Sequence, residues 1–199
     1  MREIGGDAKR VQGLTLKQAK LVTLYLRGKG NKRDVALWSF GISVGLRVSD
    51  LLSLRVQDVL NGEGEIAKRI TVREAKTGQT RLIAVSSLAR DALRAYLDER
   101  QPNPQESLFI GRNGGVIGRE RVRRMVKQWC EACNLRGDFG SHTLRKTFCR
   151  LAYQSSGHDP VSTCRATGHK NPAQLLAYIG EFARTTQDIF SGIDKELAI

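Results

Sequence analysis

The sequence predicts an α+β chain, mainly helical, with a small three-stranded antiparallel sheet on one edge. Two observations carry this. Apolar residues recur at helical spacing through most of the chain, as in the stripe Val122, Met125, Val126, Trp129, Cys130 and Cys133. From Val56 to Ser86 the pattern changes to short β-rich runs separated by glycine-containing turns.

The elements follow in order. About a dozen N-terminal residues lack periodicity and are expected to be mobile. Thr15 and Gln18 in "LTLKQAK" then have capping-box spacing and start a helix running to about Leu26. "RGKGNKR" breaks it. Asp34 is the expected cap of the next helix, whose Val35, Ala36, Leu37, Trp38, Phe40, Ile42 and Val44 leave little polar surface, which makes it central to the core. The chain turns at Gly45, and Ser49 in "LRVSDLLSL" is the expected cap of a short helix. "VQDVL", "EIAKRITVRE" and "RLIAVS", joined at "NGEG" and "KTGQT", are the three expected strands.

Helical periodicity resumes in "SLARDALRAYLDER" and stops at "PNP"; "SLFI" and the "RNGG" turn form a linker. "GRERVRRMVKQWCEACNLRG" is strongly amphipathic, its polar face holding Arg119, Arg121, Arg123, Arg124 and Lys127. Ser141 is the expected cap of a helix beginning at His142. Asp159-Pro160 opens a further helix that Gly168 ends, and Asn171-Pro172 opens the next, which carries Tyr178. The expected organisation is an N-terminal segment 1–14, one domain over 15–184, and a tail 185–199 that packs back or docks on a neighbouring subunit.

Lys and Arg total 33 against 20 Asp and Glu, a formal charge of +13 that exceeds what solubility requires and points to a polyanionic partner. The charge is spread along the chain, so the folded surface is expected to carry the field. Contact between the basic face of residues 119–127 and a DNA backbone is one reading, plain solvation the other. No stretch is long and apolar enough to cross a bilayer and the start lacks the apolar core of a secretion signal, so a cytoplasmic protein without membrane contact is expected. Cys130 and Cys133 form a C-x-x-C pair with no second pair following, and they fall on an apolar stripe; buried free thiols are expected and no metal site.

Several polar residues sit where chemistry is possible. His142 and Arg145 in "SHTLRKTF" are three apart at a helix start, so they project together beside free backbone N–H groups, an arrangement suited to a phosphate. Arg47 lies at the junction of two helices, Lys76 at a hairpin tip, His169 just after Gly168, and Tyr178 nine residues further on.

Taken together, "GLRVSDLLSL", "AKTGQTR", "SHTLRKTF" and "TGHKNPAQLLAY" resemble the tyrosine recombinases, the phage-integrase-like family that cuts and rejoins DNA, over about residues 15 to 184. The resemblance implies that Tyr178 attacks a scissile phosphorus to give a 3′-phosphotyrosine. A free phenol has a pKa of about 10 and needs help to ionise. His142 is then the proton acceptor or a ligand of a phosphate oxygen. Arg47 and Arg145 hold the non-bridging oxygens, His169 adds a hydrogen bond, and Lys76 protonates the leaving 5′-oxygen. It further implies double-stranded DNA as partner, a homotetramer on paired sites formed from a free monomer, and no cofactor, since the phosphodiester is stored on tyrosine without ATP or metal. Most members carry an N-terminal DNA-binding domain; here about fourteen residues precede the first helix, so the likeness is to the catalytic domain alone.

Three other readings remain at this point, one of them a type IB topoisomerase, which would use nearly the same chemistry on one duplex. Glu74 and Lys76 with Asp58 or Glu65 upstream meet the loose acid…E-x-K pattern of metal-dependent nucleases. A DNA-binding regulator keeping the fold without the chemistry is the non-enzyme alternative.

Overall fold

The computed structural model describes residues 11–181. Among them are eight α-helices and one two-stranded sheet: α1 Leu16–Gly28, α2 Lys32–Val44, α3 Val48–Leu52, β1 Arg69–Arg73, β2 Thr80–Ala84, α4 Ser87–Arg100, α5 Arg119–Ala132, α6 Ser141–Ser155, α7 Pro160–Thr167 and α8 Pro172–Ile179. The mainly helical α+β class is as expected, with one strand fewer than the sequence predicts.

The missing strand is "VQDVL". Val56–Val59 forms a 3₁₀ turn because the Asp58 carboxylate accepts the Arg55 N–H at 2.8 Å and closes the chain on itself. The N–H groups of Val56 and Gln57 bond the Glu106 and Pro104 carbonyls, at 3.0 and 2.9 Å, and Leu60 keeps a single bridge to Ile66. The sheet that remains is the antiparallel hairpin of β1 and β2, registered from Arg69 opposite Ala84 to Arg73 opposite Thr80.

Three predicted caps move. Asn31, not Asp34, caps α2: its Oδ1 accepts the Asp34 N–H at 3.1 Å, and Asp34 sits in the first turn where the helix dipole favours a carboxylate. Arg47 rather than Ser49 precedes α3, and Gly140 rather than Ser141 precedes α6, with Thr143 Oγ1 accepting the Gly140 N–H at 3.1 Å. The capping box of Thr15 and Gln18 and the caps Asp159 and Asn171 are present as expected.

Helix α2 runs through the core, with Ala36, Leu37, Trp38, Phe40 and Val44 buried. Trp38 stacks edge-on against Trp129 of α5, with centroids 6.1 Å apart, and its indole N–H donates to Thr23 Oγ1 at 3.0 Å. Gly41 lets α6 approach: a Cβ there would lie 3.0 Å from a Leu144 methyl. A smaller cluster of Cys149, Cys164 and Leu175 joins α6, α7 and α8, and Tyr178 packs against it. This second cluster fixes where α8 presents its tyrosine.

Cys130 is buried, Cys133 is partly so, and all four cysteines are free thiols. Among the described residues no group of His, Cys, Asp or Glu is placed to hold a metal ion, and no helix is long and apolar enough to cross a membrane. Of the expected mobile N-terminal segment, residues 11–14 are described, and they are tied down: Gln12 N–H bonds the Asp138 carbonyl at 2.8 Å, and Leu14 is buried with its N–H on Thr147 Oγ1 at 2.9 Å. Residues 1–10 and 182–199 lie outside it, and with them the tail expected to dock on a neighbour.

Candidate phosphate-binding and nucleophile site

Arg47, Lys76, His142, Arg145, His169 and Tyr178 all line one open cleft of about 650 Å³, together with Thr77, Gln79, Lys170 and Gln174. Five separate stretches of chain converge there. Local features of each segment bring these residues to the cleft, and contacts between segments hold the arginines.

Arg145 is 5% exposed, and its guanidinium bonds two helix ends: Nη1 donates to the Gly45 carbonyl at 2.6 Å and Nη2 to the Thr167 carbonyl at 3.1 Å. Gly45 closes α2 and Gly168 closes α7, both in the left-handed conformation that exposes the last carbonyls. Arg47 leaves the start of α3, and its Nη1 donates to Glu74 Oε2 at 2.5 Å. Glu74, 3% exposed, takes Arg81 Nη1 on its other oxygen at 2.9 Å. Burial pushes the Glu74 carboxyl up, but the hydrogen bonds and charges of Arg81 and Arg47 outweigh it and hold the pKa at about 2.

Arg81 continues to the end of α7, donating to the Ala166 carbonyl at 2.8 Å and the Thr167 carbonyl at 3.3 Å. The hairpin is thus tied to α3 on one side and α7 on the other. Asp50 adds to this tie, its Oδ1 accepting the Ala75 N–H at 3.1 Å while Oδ2 lies 3.9 Å from Arg47 Nη1. Lys76 stands exposed at the hairpin tip, within the cleft lining.

His142, lining the cleft from the first turn of α6, has its pKa lowered by desolvation and then by the charges of Lys146, Arg145 and Arg47. A neutral imidazole at pH 7 follows, able to accept a proton. His169 is lowered further, to about 4, by burial and then by Arg145, Arg47 and Arg81. Tyr178 packs its ring 5.1 Å from that of His169, and the Lys146 ammonium lies 5.1 Å from the Tyr178 ring centroid. The Tyr178 hydroxyl is buried with no hydrogen-bond partner among the described residues. Burial, with Cys149 adding, pushes the phenol up to about 12 against the smaller pull of Arg145 and Arg47.

The basic residues of α5 are elsewhere. Arg119, Arg121, Arg123, Arg124 and Lys127 are exposed, but none lines this cleft. Arg123 pairs with Glu120 at 2.9 Å and Lys127 with Glu131 at 3.6 Å, while Arg121 shares a second cleft with Arg33 and Arg112.

The phage integrase family model matches residues 14–184. The chain belongs to the phage integrase family. A probable integrase/recombinase of Bacillus subtilis, YoeC, is 33% identical over 183 residues, covering 90% of this chain and 96% of that protein. The tyrosine recombinase XerC of Chromobacterium violaceum is 29% identical over 147 residues, covering 73% of this chain and 47% of XerC. The chain therefore spans nearly all of the first relative and about half of the second. Among solved structures, a XerH site-specific recombinase bound to its difH substrate in a pre-cleavage complex superposes with a TM-score of 0.73 at 19% identity, over 100% of this chain and 58% of that one. A Tn1549 transposon integrase bound to circular-intermediate DNA gives 0.72 at 22% identity, over 96% and 68%. These likenesses are of fold.

Reading the sequence misses three contributors to this phage integrase cleft. Arg81 shares the inward face of β2 with Ile83, and an inward charge on a strand is a signal that period-two alternation reveals. Asp50 stands three residues after Arg47, the spacing of neighbours on a helix. Glu74 is weighed in sequence only as a metal ligand, and its partners are remote.

Proposed function

We propose that this chain is a tyrosine-type site-specific DNA recombinase that breaks and rejoins duplex DNA through a 3′-phosphotyrosine intermediate. The observation that carries the reading is the convergence of Arg47, Lys76, His142, Arg145, His169 and Tyr178 on one cleft.

Arg47 and Arg145 hold the non-bridging oxygens of the scissile phosphate, and their existing anchors orient them before DNA arrives. Such preorganised donors are each worth about 100- to 1,000-fold in rate. The Tyr178 oxygen attacks phosphorus, its proton passes to neutral His142, the bond from phosphorus to the 5′-oxygen breaks, and Lys76 supplies the proton that oxygen needs. The reverse attack by another 5′-hydroxyl rejoins the strand, so the phosphodiester is conserved and the step needs neither ATP nor a metal ion. The raised pKa of the buried Tyr178 keeps the DNA-free protein unreactive. The basic face of α5 contacts the duplex backbone, and a tetramer on paired sites carries out the exchange, in the service of a mobile element.

The nuclease alternative needs Glu74 to bind a metal, but both of its oxygens are taken by arginines. The test is incubation with nicked suicide duplexes in chelator, comparing wild type with Tyr178→Phe on a denaturing gel. A covalent adduct is expected from wild type alone. DNA binding without an adduct on any substrate would instead support a regulator that keeps the fold.

A further inference from the structure

Thr167 ends α7, is 1% exposed, and makes two hydroxyl contacts: 2.8 Å to the Thr163 carbonyl and 2.7 Å to His169 Nδ1. A hydroxyl has one proton to give and a carbonyl can only accept, so that proton goes to Thr163. Thr167 Oγ1 must then accept from His169, and Nδ1 carries the hydrogen. In a neutral imidazole this leaves Nε2 bare. A bare nitrogen cannot donate to a phosphate oxygen; two lone pairs would meet.

We propose that His169 takes up a proton from solvent as a phosphodiester enters the cleft, and that Thr167 is the positioning residue that imposes this by fixing the tautomer. The inference rests on the reading of the cleft as a phosphodiester site. The groups around the ring decide when uptake occurs. Arg145 on α6, Arg47 at the start of α3 and Arg81 on β2 oppose the proton, while Glu74 favours it. Tyr178 on α8 touches the ring, and His142, Lys76 and Lys170 line the same space. With the cleft empty, burial and the arginines keep His169 neutral at pH 7, its pKa being about 4. An arriving anion partly cancels the arginine field and accepts directly from Nε2–H, so the protonated form wins. No other bond changes in the step.

The chain has three histidines, so their ring nitrogens can be followed individually by ¹⁵N NMR in the Tyr178→Phe protein, which cannot react. The probe is sulfate, a tetrahedral oxyanion that does not itself titrate near neutrality. In the free protein at pH 7, His169 is expected neutral with its proton on Nδ1; with sulfate, both nitrogens become protonated while His158, outside the cleft, is unchanged. Thr167→Val frees Nδ1, so the neutral ring can move its proton to Nε2 and hold sulfate without uptake. Thr167→Ser restores the wild-type behaviour.

A free-state proton on Nε2, a neutral His169 with sulfate bound, or a Thr167→Val protein that still takes up the proton would each overturn the proposal. If Thr167→Val does not fold, the free-state tautomer and the Ser variant decide alone. Sulfate that moves neither His142 nor His169 overturns the uptake, whereas loss of the recombinase reading shows separately, as a wild-type protein that forms no Tyr178 adduct.

Discussion

Glu74→Gln removes the one carboxylate that Arg47 and Arg81 share while keeping its shape. Its pKa falls from 4.5 to about 2 on folding, and at about 1.4 kcal/mol per tenfold change this corresponds to about 3 kcal/mol. Arg47 and Arg81 are 26% and 15% exposed, so solvent and salt screen part of it, and about 2 kcal/mol is the expected loss. The sign follows from the depressed pKa: the contribution is full above 4.5 and disappears as pH falls through about 2. Urea denaturation of wild type and Glu74→Gln at pH 7 should differ by about 2 kcal/mol, about 4–8 °C in Tm, and the gap should narrow steadily below pH 4.5. A gap that stays constant from pH 7 to pH 3 would refute the reasoning, because it would locate the effect in packing rather than in charge.

Gly168→Ala should cost about 1–3 kcal/mol, because Gly168 has φ +73° and its Cβ would fall 2.7 Å from Arg81 Nη1; an unchanged thermal midpoint would show that Arg81 is not packed there. Replacing Arg121 and Arg124 together by alanine should weaken duplex binding about equally across sequences and flatten the slope of log affinity against log salt by about 2, if each contacts one phosphate. Binding titrations at several salt concentrations measure that slope.

The cleft was legible in sequence to the extent that local signals aim its residues. His142 and Arg145 share a helix start, Gly168 ends a helix just before His169, and Asn171-Pro172 opens the helix that carries Tyr178. What binds these side chains in place was not legible, because it is remote in the chain. Arg145 and the Gly45 carbonyl are 100 residues apart, Arg81 and the Ala166 carbonyl 85. The same reason, added to the local Arg55–Asp58 contact, explains why the expected strand is a 3₁₀ turn. "VQDVL" has strand-like residues, but its backbone partners are Pro104 and Glu106, in the segment after α4 that no local pattern places beside it.

The anchors also differ in kind, and the difference bears on charge. Arg145 is held by two neutral carbonyls, so its full positive charge faces the cleft. Arg47 and Arg81 share Glu74, and Asp50 stands 3.9 Å from Arg47. Three guanidiniums therefore face two carboxylates, leaving one formal positive charge, and Lys76 and Lys170 in the cleft lining add two more. A phosphodiester brings one negative charge and approaches two as the attacking oxygen bonds to phosphorus. A cleft balanced at rest against the substrate alone would gain nothing at that moment. On the proposed mechanism, the surplus on the lysines, and the proton proposed for His169, would meet the charge that develops only in the transition state. By this account the carboxylates serve the chemistry as much as the arginines do, because they set how much positive charge is left over.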